Sequence, residues 1–163
     1  MVNQKRYKEF RLIGFWVKTE NKGTTEEEMY NWGETVCEAR IKLKLFDGTK
    51  EVEEYGASEG DGPVNALDNA LRKCLLPHFS FLESVALVDY RVEIVDKKEG
   101  TAAAVTVGIT FHGNGRKWAV EEISTDVVNA SLHALVDGYR KALFAFSGET
   151  SRLVGEITTD SVA

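Results

Sequence analysis

The sequence predicts an α+β fold: an internal repeat of two βββα units, with antiparallel sheets and helices packed on one face. Three observations predict it. Local patterns run strand, strand, strand, helix, and the series occurs twice. Pro63-Val64-Asn65-Ala66-Leu67-Asp68-Asn69-Ala70-Leu71 aligns without gaps on Val127-Val128-Asn129-Ala130-Ser131-Leu132-His133-Ala134-Leu135, with Val, Asn, Ala, Ala and Leu coinciding at an offset of 64. Asp47-Gly48 and Asn114-Gly115 mark a hairpin in each half, their glycines offset by 67.

Each element has its own signal. Phe10–Val17 reads as a strand apolar on both faces, and Glu20–Gly33 as a solvated loop or hairpin tip. In Ala39–Leu45, apolar residues alternate with Arg40, Lys42 and Lys44, so one face meets water. The chain returns through Lys50–Ala57 after the Asp47-Gly48 turn. A helix begins near Pro63, which suits a first turn because its missing N–H forfeits no helical bond. Leu67, Ala70, Leu71, Cys74 and Leu75 form its apolar face, and Pro77 ends it. In the second half Tyr90, Val92 and Ile94 alternate with Asp89, Arg91 and Glu93. Ala103, Val105, Val107, Ile109 and Phe111 alternate with small residues, and Lys117–Ile123 returns from the second hairpin. A long helix follows from about Asp126 to Phe146, with Val128, Ser131, Leu132, Leu135, Tyr139, Ala142 and Leu143 inward. This gives a domain at 1–147, units at about 8–78 and 85–147, and a polar tail at 148–163. The two offsets differ by three, which predicts three extra residues between the last strand and the helix of the first unit, around Glu59-Gly60-Asp61-Gly62.

Composition narrows the function. The 163 residues carry 20 Lys+Arg against 26 Asp+Glu, a net charge of −6 that disfavours nucleic acid and anionic membranes. No run approaches the roughly 20 apolar residues of a membrane span, and the N-terminus lacks the apolar core of a secretory signal. Two separated cysteines give neither a disulfide framework nor a zinc motif, so a cytoplasmic setting is expected. His78, His112 and His133 are scattered. Glu53-Glu54 and Glu121-Glu122 are adjacent on strands and so face opposite ways. No nucleophile elbow, phosphate loop or dinucleotide fingerprint is present. The expectation is therefore no catalytic site, no metal and no cofactor. What stands out is Gly60-Asp61-Gly62 at a helix entrance, where the second unit has Ser124-Thr125-Asp126. Glycines there let another group approach the backbone, and free helix N–H groups suit a carboxylate. A tight turn with Asp61 near the cap explains the same residues.

Four stretches in register resemble one family: Gly60 to Lys73; Leu87-Val88-Asp89-Tyr90-Arg91-Val92; Gly100-Thr101-Ala102-Ala103; and Val128-Asn129-Ala130-Ser131 with Ala134-Leu135-Val136-Asp137. They are similar to the C-terminal regulatory domain of 2-isopropylmalate and citramalate synthases, over roughly Phe10 to Leu143 and closer to the citramalate branch. The resemblance implies a homodimer of repeated βββα folds that binds isoleucine or leucine. The bound amino acid feeds back on a metal-dependent catalytic barrel, in cis or trans, that condenses acetyl-CoA with a 2-oxo acid. It also implies an effector pocket at Gly60, Gly62, Pro63 and Asn65, then Leu87, Tyr90 and Ile94, then Thr101 and Val105. A helix N-terminus would take the carboxylate, and Leu87, Ile94 and Val105 a branched side chain; the same three residues would equally suit a sheet core. One departure matters. The family's Trp-Gly-Thr-Val-Gly-Val-Ser-like run is here Trp118-Ala119-Val120-Glu121-Glu122-Ile123-Ser124. Either the Glu122 charge faces solvent or the second site is altered. The alternative function is a structural dimerisation module that has lost its effector. Ala104, Thr106, Gly108 and Thr110, a smooth face of small residues, point to close approach by another layer or a second chain.

Overall fold

The computed structural model describes residues 10–23, 25–27, 35–46 and 49–159, with side chains as far as 146. The first unit pairs β1 (Phe10–Asn21), β2 (Thr35–Phe46) and β3 (Glu51–Gly60) in an antiparallel sheet, followed by α1 (Pro63–Leu75). The second repeats this with β4 (Ala86–Ile94), β5 (Val105–Gly113), β6 (Arg116–Ser124) and α2 (Val127–Thr159). Short 3₁₀ turns, Ser80–Ser84 and Lys97–Ala102, join α1 to β4 and β4 to β5. The predicted pair of βββα units is the architecture found.

Alternation explains the first sheet. Cys37, Ala39, Ile41, Leu43 and Leu45 are buried against α1, and Leu67, Ala70, Leu71, Cys74 and Leu75 meet them from the helix. Arg40, Lys42 and Lys44 point away from the helix into a surface ladder with Glu38, Glu53 and Glu51. Such exposed pairs contribute little stability; the buried face holds the sheet. Gly56 is what lets α1 lie so close, because a Cβ there would sit 2.6 Å from Cys74 Sγ and hard against the Ala70 carbonyl. In the second unit Asn114 and Gly115 both take positive φ, as the two-residue hairpin demands. Asp47-Gly48 lies outside the described residues.

The units share one core. Phe111 stacks on Trp118 with centroids 5.8 Å apart, and Tyr139 meets Phe111 edge-on at 5.6 Å. The Tyr139 hydroxyl crosses to the first unit, donating to Asp68 Oδ1 at 2.6 Å and accepting from Arg72 Nη1 at 3.1 Å. Arg72 also donates to the Val85 carbonyl, so one guanidinium ties α1, α2 and the linking turn. Arg140 Nε and Nη2 clasp the Phe10 carbonyl.

Several boundaries differ from expectation. β1 runs past Val17 to Asn21, into the expected Glu20–Gly33 loop, and β2 starts at Thr35, because strand pairing continues through these polar residues. α2 runs on to Thr159, past the expected end at Phe146; Gly148 and Gly155 weaken a helix by only about 1 kcal/mol each, so they need not break it. The three extra residues are not at the α1 entrance either. β3 stays paired with β2 through Gly60, opposite Cys37, which leaves a two-residue connector, Asp61-Gly62. Thr125-Asp126 is the same length. The first unit instead has Thr49-Lys50 before β3, and β3 is one residue longer than β6.

Both cysteines are free and buried. Burial, with the Glu54 carboxylate adding to it, pushes the Cys74 thiol up to about 11. A thiol reagent at pH 8 should therefore label neither cysteine in the native protein and both in guanidinium. Rapid native labelling would contradict this packing.

Candidate functional site

The two helix entrances superpose in sequence but not in chemistry. Asp126 caps α2, its Oδ1 accepting from Val128 N at 2.9 Å and Asn129 N at 3.1 Å. Ser124 Oγ in turn accepts from Asp126 N. At α1 the equivalent position is Gly62, and no side chain caps the helix. Pro63 occupies the first turn, where it lacks an N–H to satisfy. The N-terminal N–H groups of α1 thus lack the carboxylate that α2 supplies to itself, while the helix dipole favours an anion there.

The loop before α1 is held in shape from the helix. Asn65 Oδ1 accepts from Asp61 N at 3.1 Å, and Asn69 Nδ2 donates to the Glu59 carbonyl at 3.1 Å and to Asn65 Oδ1 at 3.4 Å. Asn69 escaped the sequence reading; its signal is the i, i+4 spacing from Asn65, which puts both amides on one face. The two glycines have different reasons. A Cβ on Gly60 would collide with the Ala66 backbone and lie 2.6 Å from Asn65 Oδ1. Gly62 has extended backbone, and a Cβ there would meet nothing within 4 Å. The fold requires glycine at 60 and has no such requirement at 62.

The remaining expected residues lie on the second sheet. α2 covers β5 and β6, leaving β4 an edge strand exposed along its whole length. Leu87 is 37% exposed and Ile94 53% exposed, so neither belongs to the core; Val105, opposite Ile94, is half-buried. Tyr90 is a strut to α2. Ser131 commits its proton to the Val127 carbonyl at 2.6 Å, so the Tyr90 hydroxyl donates to Ser131 Oγ at 2.8 Å. Thr101 sits in the exposed Lys97–Ala102 turn. The expected residues thus form two groups, one at the α1 entrance and one on the β4–β5 face. Among the described residues, no hydrogen bond or ion pair joins them.

The register also places the two glutamates. Glu121 lies over Gly108 on the face away from α2. Glu122 is half-buried in the row Val92–Val107–Glu122, on the face where Val107 is buried. Asp126 already puts a carboxylate at the α2 entrance, which makes it a poor place for another. Among the described residues no group of three or more His, Cys, Asp or Glu could hold a metal ion, and no helix is long and apolar enough to cross a membrane.

Comparison with known proteins agrees with the fold. The family described as the LeuA allosteric (dimerisation) domain matches residues 2–143. The chain is 38% identical to an (R)-citramalate synthase of Geobacter sulfurreducens over 128 residues, covering 78% of this chain and 22% of that protein. It is 41% identical over 100 residues to an (R)-citramalate synthase of Aquifex aeolicus, covering 61% and 18%. A 2-isopropylmalate synthase of Methanocaldococcus jannaschii is 30% identical over 105 residues, covering 64% and 18%. The chain thus spans about a fifth of the length of these relatives, and the matched family is a regulatory, non-catalytic module. By the extent of this match and the repeated βββα fold, the chain belongs to the LeuA allosteric (dimerisation) domain family.

Proposed function

We propose that the chain is a cytoplasmic feedback domain, binding a branched-chain amino acid, isoleucine or leucine, for an acetyl-CoA-dependent synthase of the citramalate type. The barrel it regulates stands in cis or trans. The observation that carries this reading is the open α1 entrance, with a carboxylate missing at Gly62 where α2 has Asp126. An effector carboxylate completes that cap, and Leu87, Ile94 and Val105 offer the apolar surface for its side chain. A homodimer brings the two groups of residues into one pocket. The exposed apolar residues Leu87, Tyr90, Val92 and Ile94 suit such a contact, since monomers rarely leave a contiguous apolar stripe uncovered. The names of the relatives favour the citramalate branch. Isoleucine and leucine differ by the placement of one methyl group, a distinction worth about 1–3 kcal/mol at most.

The test is calorimetric titration of isoleucine, leucine and valine, with threonine as polar control, on protein whose mass is fixed by light scattering. One branched amino acid should saturate a dimer, and Gly62→Val should weaken it at least tenfold (about 1.4 kcal/mol). Because a side chain at 62 meets open space, the thermal midpoint of that variant should stay unchanged. A folded dimer that binds none of the four would favour the structural module, with Glu122 at the second entrance as its marker. A monomer at micromolar concentration would defeat the shared pocket.

A further inference from the structure

The end of the molecule away from the α1 entrance holds a recess that this function does not use. Phe10 begins β1 opposite Leu45, whereas Gly60 ends β3 opposite Cys37, so the two points lie roughly 26 Å apart along the first sheet. On the second sheet Arg116, Lys117 and Trp118 leave the Asn114-Gly115 hairpin, again opposite the helix entrance. Between them and the Asp137–Phe146 stretch of α2 lies a cavity of about 770 Å³, within the range of small-molecule sites.

Its floor is aromatic and aliphatic. Phe10, Leu143 and Phe146 are buried there, Trp118 is half-buried, and Phe144 stands 70% exposed at the mouth. Its wall is cationic: Arg11, Arg116, Lys117, Arg140 and Lys141 line it against one carboxylate, Asp137. In a chain of net charge −6 that is a local reversal of sign. Folding accounts for part of it. Arg140 clasps the Phe10 carbonyl, lies 5.5 Å over the Phe10 ring and reaches Asp137 at 3.6 Å. Lys141 donates to the Ala119 carbonyl at 3.2 Å, and Arg116 lies 5.9 Å over the Phe146 ring, whereas Arg11 pairs with Glu51 in the outer surface ladder. These tethers fix cationic groups around an apolar floor in advance, as a binding site requires. Lys117, exposed beside Trp118, also lines the recess.

We infer that this recess binds a small amphipathic anion, a carboxylate carried on an aliphatic or aromatic body. The charges draw the anion and orient it, and desolvation of the floor supplies most of the affinity. A nucleic acid does not fit, because the cations ring a recess instead of tracking a strand.

The probe is octanoate, titrated into the full chain by heteronuclear NMR. Octan-1-ol tests the body without the charge, and acetate the charge without the body. Octanoate should saturate with shifts at Trp118, Leu143 and Phe144, while acetate should not bind and octanol should bind about tenfold more weakly. Lys117→Glu changes an exposed side chain and should leave the melting temperature in place, and Phe144→Ala removes the apolar mouth. The first should weaken octanoate about tenfold, the second several-fold, and rising salt should weaken it further. Gly62→Val should have no effect. Three results would each overturn the inference: no saturable binding, equal binding of octanol, or loss of octanoate binding in Gly62→Val, which would place the carboxylate at α1.

Discussion

Gly138→Ala should destabilise the protein by about 2 kcal/mol, although alanine is the better helix former. Gly138 lies inside α2, and its carbonyl accepts from Trp118 Nε1 at 3.0 Å. On propensity alone, the change gains about 1 kcal/mol. Packing opposes it. A Cβ at 138 would fall on the Phe111 ring, which is fully buried and clamped between the Trp118 ring and Tyr139. The ring has nowhere to swing, so α2 must lift from β5. Overfilling a tight core costs about 1–3 kcal/mol and sometimes more, and the lost indole bond adds about 1. The packing term wins. Urea unfolding monitored by tryptophan fluorescence measures the balance; a variant more stable than the parent would mean that α2 does not sit against Phe111 as described.

The second large effect is at the junction of the units. Tyr139→Phe keeps the ring and removes the hydroxyl that donates to Asp68 and accepts from Arg72. A half-buried carboxylate then loses its donor, and about 2 kcal/mol of stability should go with it. Burial already raises the Asp68 carboxyl above its usual range, despite the Tyr139 bond and the Arg72 charge, which lower it. A carboxyl with a raised folded value holds its proton more tightly in the fold. Its contribution to stability is therefore fullest at low pH and declines as pH rises through that value. Removing the hydroxyl raises it further. The loss in Tyr139→Phe should accordingly be larger at pH 7 than at pH 4, by urea unfolding at both. A loss independent of pH would show that the hydroxyl does not hold the ionised carboxyl.

The architecture was legible because its signals are periodic. The alternation in β2, the helical spacing from Leu67 to Leu75 and the Asn114-Gly115 turn each depend only on neighbours in sequence. The α1 connector is shorter than its residues suggest because Gly60 looks like a loop residue, yet pairs with Cys37. Composition cannot tell a glycine that passes a helix from one that begins a turn. Exposure of Leu87 and Ile94 was equally hidden, since an edge strand and a core strand carry the same apolar alternation. Which strand a helix leaves bare is a property of packing. The difference between Gly62 and Asp126 was visible in the residues; only the bonds from Val128 N and Asn129 N give it meaning.

That difference has a further consequence. Asp126 is a tethered stand-in, a carboxylate at high effective concentration seated where its counterpart in the first unit has none. A duplicated molecule of this kind contains a self-capped helix beside one that no side chain caps. Under the proposed function, a free carboxylate seated at Gly62 would make the two helix entrances alike.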